Sequence, residues 1–248
     1  MPPVVTDLRG RVVLVTGAGG GIGAGIADRF LAAGASVVAH HRARLPAPGA
    51  PADRWTAVAA ELTDADAPDR LVTAAIDRFG RLDAVINNAA AQDLVSLAEL
   101  GDGELRAMIE TNLVAVHRLT QRAVPALAEV AGCVVHIASI EGTTPAPGHA
   151  HYAVTKAAVL MHARAAALEY GPLGIRVNTV SPGLIDRPGL ADDWPEGVAR
   201  WRAAAPLGRL GTPGDVADAC LFLCSPLASW ITGTDLTVDG GVSTHPHW

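Results

Sequence analysis

Short apolar runs rich in Val, Ile and Ala recur along the chain, each followed by a longer stretch of helix-forming residues. The runs at 11–16, 36–39, 55–60, 83–88, 133–138, 176–180 and 236–238 are too short for helices and too apolar for surface loops, so they predict buried strands. Between them, residues 22–33, 66–79, 102–129, 151–170 and 212–224 predict helices. The first stops at Gly34 and the last starts at Thr212-Pro213-Gly214-Asp215. Strands that alternate with helices require a parallel sheet covered on both faces, which is a doubly wound α/β fold. Residues 44–53, rich in Pro, Ala and Gly, read as a surface loop. A segment at about 184–210, with Pro188, Trp194, Pro195 and Trp201, reads as irregular or loosely helical and as the substrate segment. No repeat, linker or second domain interrupts 1–248.

Composition narrows this picture. A chain of 248 residues folded in this way holds one large core. A hydrophobic share of 50% against 18% charged leaves more apolar surface than a monomer needs, which points to contacts between copies. A net charge of -6 offers no basic stripe to meet phosphate backbones, which argues against a nucleic-acid partner. Met1-Pro2-Pro3-Val4 lacks a basic region and a long apolar run, and the apolar block at 12–15 is too short to span a bilayer, so a cytoplasmic protein without membrane association is expected. Cys133, Cys220 and Cys224 match neither a disulfide framework nor a zinc spacing, and the nine histidines are scattered, so no metal is expected.

Two stretches carry candidate chemistry. The first, Thr16-Gly17-Ala18-Gly19-Gly20-Gly21-Ile22-Gly23, lies between the first strand and the first helix. Glycines in that place let a backbone approach a pyrophosphate, and the helix start offers free N–H groups with positive potential, as in a Rossmann-type site. The spacing of Gly17 and Gly21, with three residues between them, differs from the common G-x-G-x-x-G. The second stretch is Tyr152-Ala153-Val154-Thr155-Lys156. Residues four apart on a helix share a face, so the phenol and the ammonium enter the same space. A free phenol titrates near ~10, and an ammonium that stabilises the phenolate makes it usable as an acid or base at neutral pH. Lys156 is the only lysine in a chain that otherwise takes its positive charge from arginine, which suits a site needing a compact, tunable cation.

In order along the chain stand T-G-x-x-x-G-I-G at 16–23, N-N-A at 87–89, Asn112, Ser139, Y-x-x-x-K at 152–156, R-V-N at 176–178, S-P-G at 181–183, and an ending that runs from Thr232-Gly233 to Val238-Asp239-Gly240-Gly241. With these motifs the chain resembles, from end to end, the short-chain dehydrogenase/reductase family, in its 3-oxoacyl-carrier-protein reductase-like branch. The resemblance implies a single-domain Rossmann-type enzyme that transfers a hydride between NAD(P) and a ketone or secondary alcohol. It implies that Tyr152 exchanges a proton with the substrate oxygen, that Ser139 hydrogen-bonds that oxygen, and that Lys156 lowers the tyrosine pKa and holds the nicotinamide ribose. Asn112 would hold a water leading protons from Lys156 to solvent; it also reads as a polar residue fixing a bend in the long helix. Cofactor contacts are expected from Gly17, Gly21, Ile22, Gly23, His41, Arg42, Glu61, Leu62, Asn88, Ala89, Tyr152, Lys156, Pro182, Gly183 and Ile185. The family further suggests a homotetramer or dimer. The alternative is a dinucleotide-sensing or scaffold protein on the same fold, which would have no use for Tyr152 and Lys156.

Departures from the family pattern sharpen some expectations. At the end of the second strand, where NAD-binding relatives place an acidic residue, stand His41 and Arg42. No carboxylate there repels a 2′-phosphate and Arg42 can pair with one, so NADP(H) is favoured over NAD(H). Gly20 takes the place of a second basic residue found in many NADP-binding relatives. Glu61-Leu62 replaces an Asp and a small apolar residue at the adenine pocket, and Ala90 replaces the glycine after N-N-A. Where relatives often show a Thr for the nicotinamide amide, this chain reads Leu184-Ile185-Asp186-Arg187, leaving the Ile185 backbone as the expected partner. Glu141, His149, His151, Trp194 and Trp201 are candidates to line a substrate pocket, with loop surface or local packing as the alternative for each. The tryptophans with Leu184 and Leu190 suggest an apolar, bulky small-molecule substrate, and Arg187 leaves room for a carboxylate or an acyl-carrier partner. The tail His245-Pro246-His247-Trp248 is open to disorder or to contact with a neighbouring subunit.

Overall fold

The computed structural model describes residues 6–43 and 53–244. The tail His245-Pro246-His247-Trp248 and, except for Asp53, the loop expected over 44–53 lie outside the described residues. Seven strands form one parallel sheet: β1 Val12–Val15, β2 Ser36–His41, β3 Trp55–Ala59, β4 Ala84–Asn87, β5 Cys133–Ile137, β6 Arg176–Pro182 and β7 Asp235–Val238. Each apolar run of the sequence is one of these strands, its ends moved by a residue or two. Their spatial order is β3-β2-β1-β4-β5-β6-β7, the doubly wound Rossmann-like arrangement. The helices are α1 Gly21–Ala32, α2 Ala67–Phe79, α3 Asp102–Ile109, α4 Ala115–Ala128, α5 Ala150–Tyr170, α6 Leu190–Asp193, α7 Pro195–Ala204 and α8 Pro213–Cys224.

Strand β1 shows why both faces of the sheet are covered. Val13 and Val15 pack into one core with Ile26 and Phe30 of α1 and Val216 and Leu223 of α8. Val12 and Leu14 pack into the other with Leu71 of α2, Leu119 of α4 and Ala163 of α5. Successive side chains of a strand face opposite ways, so an unbroken apolar run is what a two-sided sheet demands. Cys133 and Cys220 are buried in the first of these cores and Cys224 packs against it. The start of β1 is pinned by Asp83, which precedes β4. Its buried carboxylate accepts from Arg11 at 2.7 Å, from Arg81 at 2.6 and 2.8 Å and from the Val12 N–H at 2.9 Å. Burial alone would raise its pKa, but these bonds outweigh burial and hold it below the usual carboxylate range. Asp83→Ala is expected to cost about 2 kcal/mol at pH 7, less than a fully buried pair because both arginines are half-exposed. Wild type should lose the same contribution as pH falls below the ordinary carboxylate value and through the lower folded one. Urea unfolding of both proteins across that range checks it.

Two stretches depart from the sequence reading. The helix expected over 102–129 is interrupted: a π-helical turn, Glu110–Val114, separates α3 from α4. Such a turn inserts an extra residue and re-aims a side chain, here Asn112. The segment at 184–210 holds two helices, with Pro195 opening α7 where a missing N–H costs nothing. Helix α8 starts within 212–215 as expected, and Thr212 caps it, its Oγ1 accepting from the Asp215 N–H while Asp215 accepts from the Thr212 N–H. Three of the histidines meet: His162 lies between His117 and His136, with ring nitrogens 3.3 and 3.2 Å apart. Among the described residues no helix is long and apolar enough to cross a membrane.

Candidate active site

The strand order reverses between β1 and β4, so the connections leaving their carboxyl ends pass to opposite faces and leave a crevice there. A cleft of about 1080 Å³ occupies it. Its floor at β1 is the glycine turn. Gly17 has φ +68° and Gly21 has φ +53°, a left-handed conformation that favours glycine. A Cβ on Gly17 would meet Asn88 Nδ2 at 2.9 Å, whereas one on Gly21 would meet nothing within 4 Å. The first glycine thus serves close packing and the second faces open space.

Three side chains hold the turn in place. Asn88 Nδ2 donates to the Thr16 carbonyl at 2.9 Å. Thr16 Oγ1 accepts from the Asn88 and Ala89 N–H groups at 2.9 and 3.0 Å. From the other side His40 Nδ1 accepts from the Gly17 N–H at 3.1 Å, so its Nε2 carries the hydrogen and donates to the Ala60 carbonyl at 3.0 Å. Burial lowers the His40 pKa, which keeps the ring neutral as this pairing needs. The orphaned N–H groups that open α1 border the cleft at Gly21, Ile22 and Gly23. This cradle fits a pyrophosphate.

At the far end of the glycine turn, Arg42, Glu61 and Leu62 line the cleft. Arg42 Nη1 lies 3.9 Å from Glu61 Oε2, a loose and exposed pair. His41 is a correction: His40 lines the cleft and His41 does not, because neighbours on β2 face opposite sides of the sheet. His41 Nδ1 is buried without a hydrogen-bond partner among the described residues. Pro182, Gly183 and Ile185 line the opposite end. In the bridge between Ile185 and Gly211 the bonds run to the Leu184 carbonyl at 3.0 Å and from the Asp186 N–H at 2.7 Å. Among the described residues, that leaves the peptide groups of Ile185 itself without a hydrogen-bond partner beside the cleft, which fits a carboxamide partner.

The reacting groups come from β5 and α5. Ser139 follows β5 in extended conformation, and its Oγ accepts from the Glu141 N–H at 3.1 Å, so its own hydrogen remains to donate towards the Tyr152 oxygen or a substrate oxygen beside it. Tyr152 and Lys156 lie one turn apart on α5, both buried and both lining the cleft. Lys156 Nζ donates to the Ile137 carbonyl at 2.7 Å and sits 5.4 Å from the centroid of the Tyr152 ring. Burial pulls the Lys156 ammonium down to about 8. The phenol moves the opposite way from the sequence expectation: burial pushes Tyr152 up to about 12, hydrogen bonding with Ser139 pulls it down, and the Glu141 carboxylate adds to the rise. The ammonium lies against the ring and the Ile137 carbonyl, so in this site desolvation of the phenolate wins.

Asn112 lies behind the cleft rather than on it. Its Oδ1 accepts from the Ala91 N–H at 2.8 Å and its Nδ2 donates to the Ala91 carbonyl at 2.9 Å. Nδ2 also lies 3.1 Å from Met108 Sδ and from Thr155 Oγ1, so two hydrogens are shared among three acceptors. Asn112 therefore ties the loop after β4 to the helix that carries Tyr152.

Of the substrate-side candidates, Glu141, His149, Trp194 and Trp201 line the cleft, as do Leu184 and Leu190. His151 is fully buried and does not. Arg187 lines the cleft but pairs with Asp193 at 2.7 Å, so its charge is already answered. The sequence reading passes over His40. Its role depends on strand register and on a fold-back of the glycine turn, and neither leaves a local signal.

A family model described as Enoyl-(Acyl carrier protein) reductase matches residues 17–243. The chain is 36% identical over 255 residues to 3beta-hydroxysteroid dehydrogenase 1 of Eggerthella lenta, covering 97% of this chain and 96% of that protein. It is 38% identical over 245 residues to L-fucose dehydrogenase of Bos taurus, covering 95% and 90%. The crystal structure of a short-chain dehydrogenase/reductase, a glucose/ribitol dehydrogenase, from Brucella melitensis superposes with a TM-score of 0.88 at 34% identity, covering 96% of this chain and 98% of that one.

Proposed function

We propose, because this chain belongs to the short-chain dehydrogenase/reductase family, that Tyr152 is the proton donor and acceptor of its reaction and that NADP(H) is its preferred cofactor. The family's chemistry is NAD(P)-dependent hydride transfer between a nicotinamide and a ketone or secondary alcohol, and this chain is such an oxidoreductase. A non-catalytic sensor is not favoured by relatives that are named dehydrogenases. The observation that carries the assignment is the Tyr152–Lys156 pair, buried yet opening on the cleft.

In oxidation, Tyr152 takes the hydroxyl proton of the substrate as its carbonyl forms; in reduction it returns one. Ser139 keeps its hydroxyl hydrogen for the same substrate oxygen and so orients it. Lys156 holds a positive charge beside the phenol and favours the phenolate as the proton leaves. A bound nicotinamide supplies the hydride acceptor or donor and, when oxidised, a positive charge that works in the same sense as Lys156. Gly21, Ile22 and Gly23 would hold its pyrophosphate, and Ile185 its carboxamide. Asn112 acts as a positioning residue through Ala91 and Thr155.

The cofactor preference rests on Arg42, which lines the cleft where a 2′-phosphate would lie and, among the described residues, meets a loose carboxylate partner. Arg42→Ala should weaken NADPH roughly tenfold and NADH far less, since one charge-assisted contact is lost. Glu61→Gln should act in the opposite sense on NADPH by releasing the guanidinium. Fluorescence titrations with both reduced cofactors test this, and equal losses for NADPH and NADH would sink the phosphate contact. Self-association is also proposed. Val154, Met161 and Leu168 on α5 are left exposed, and Trp230 near β7 is 98% exposed. Exposed apolar side chains of that size suit contacts between copies in a dimer or tetramer.

A further inference from the structure

Two polar side chains of the cleft are given no contact with substrate or cofactor above. Glu141 follows Ser139 by two residues and His149 precedes Tyr152 by three, so the connection between β5 and α5 delivers both beside the reacting groups. His149 Nδ1 lies 2.8 Å from Glu141 Oε2 and 3.0 Å from Oε1. A carboxylate has no hydrogen to give at neutral pH, so Nδ1 carries the hydrogen and donates it. That fixes the tautomer of the neutral ring and leaves Nε2 as an acceptor, without a hydrogen-bond partner among the described residues. The side chains of His149 and Glu141 are only 17% and 16% exposed. The His149 ring stands edge-on to the ring of Tyr152, with centroids 5.9 Å apart.

Local backbone bonds turn the two ends of the connection, from Thr144 N–H to the Ile140 carbonyl at 3.0 Å and from His149 N–H to the Ala146 carbonyl at 3.2 Å, and the Glu141–His149 pair spans it. A half-sheltered imidazole, oriented by a carboxylate, with its second nitrogen unanswered beside the proton-transfer group, is built to meet a hydroxyl. Trp194, Trp201, Leu184 and Leu190 give the same cleft apolar surface for a carbon skeleton.

We infer that the Glu141–His149 pair recognises a second oxygen of the substrate, and that this enzyme prefers secondary alcohols with a hydroxyl on the neighbouring carbon, vicinal diols and cyclic polyols, over matching mono-alcohols. The inference rests on the proposed role of Tyr152, which places the reacting oxygen next to His149. His149 Nε2 accepts the hydrogen of the neighbouring hydroxyl, while Glu141 keeps Nδ1 as the donor. A mono-alcohol leaves Nε2 unanswered in a partly desolvated place. Discrimination should reach about 10- to 100-fold in kcat/KM, below the ceiling for a fully buried site because some solvent reaches the ring.

The test compares 1,2-cyclohexanediol with cyclohexanol, with NADP and NAD, for wild type, His149→Phe and Glu141→Gln; NADPH titration checks that each variant keeps its cofactor site. The ratio of kcat/KM for diol over mono-alcohol should be at least tenfold in wild type and fall towards one in His149→Phe. Glu141→Gln should keep part of it, because the glutamine carbonyl still accepts from Nδ1. A wild-type ratio near one overturns the inference while leaving the Tyr152 reading intact. So does an equal loss on both substrates in both variants, which is the mark of loop support alone. No turnover of either alcohol with either cofactor overturns the inference together with the functional reading on which it stands.

Discussion

Tyr152→Phe is expected to lower kcat by about 10²- to 10⁴-fold, the span that one positioned proton-transfer group supplies. The change deletes a single oxygen from a buried ring that packs beside Lys156 and His149, so volume and packing are nearly conserved. Binding of NADPH and NADH should stay within about threefold of wild type, as expected when the lost interaction belongs to the transition state and not to the ground state. Steady-state rates with a ketone, paired with cofactor titration, check both halves. Strong residual turnover would contradict the role given to the phenol. A collapse of cofactor affinity would instead mean that the hydroxyl holds the cleft together.

Lys156→Met should be as damaging to turnover, by about 10²-fold or more, and should differ from Tyr152→Phe in two ways. Cofactor affinity should fall, because Lys156 is proposed to hold the nicotinamide ribose. Stability should also change its pH dependence. Burial holds Lys156 at about 8 in the folded protein against an ordinary value of 10.5. Between those values the unfolded chain binds more protons, so wild-type stability gains from this group as pH rises from about 8 to 10.5, whereas methionine has nothing to titrate. The difference in unfolding free energy between wild type and variant therefore moves towards wild type over that interval. Denaturant unfolding at several pH values measures it, and a flat difference would contradict a buried ammonium.

Much of this was legible from local patterns. Unbroken apolar runs identify strands buried on both faces, and the spacing of Tyr152 and Lys156 places them on one side of a helix before any coordinates are known. Thr212 and Asp215 announce a helix start by their own chemistry. What stayed hidden depends on contacts between distant segments. The π-helical turn that aims Asn112 inward is closed by Ala91 and Thr155, which lie far from it in sequence. The choice of His40 over His41 turns on which side of β2 faces the glycine turn. The rise of the Tyr152 pKa comes from burial, and no pairing of residue types reveals how much water a fold excludes. The Glu141–His149 bond joins two residues that the sequence marks separately as pocket candidates, and only the fold of their connection makes them one unit.

The most direct test of the account follows the hydride itself. Purified protein would be given NADP and NAD separately with 2-butanol, 2,3-butanediol and 1,2-cyclohexanediol carrying deuterium at the carbinol carbon, and the reduced cofactor analysed by mass spectrometry. One deuterium is expected in the reduced nicotinamide per carbonyl formed, with faster transfer to NADP and suppression of the transfer in Tyr152→Phe. Reduced cofactor without deuterium, or transfer that proceeds unimpeded in Tyr152→Phe, would contradict it.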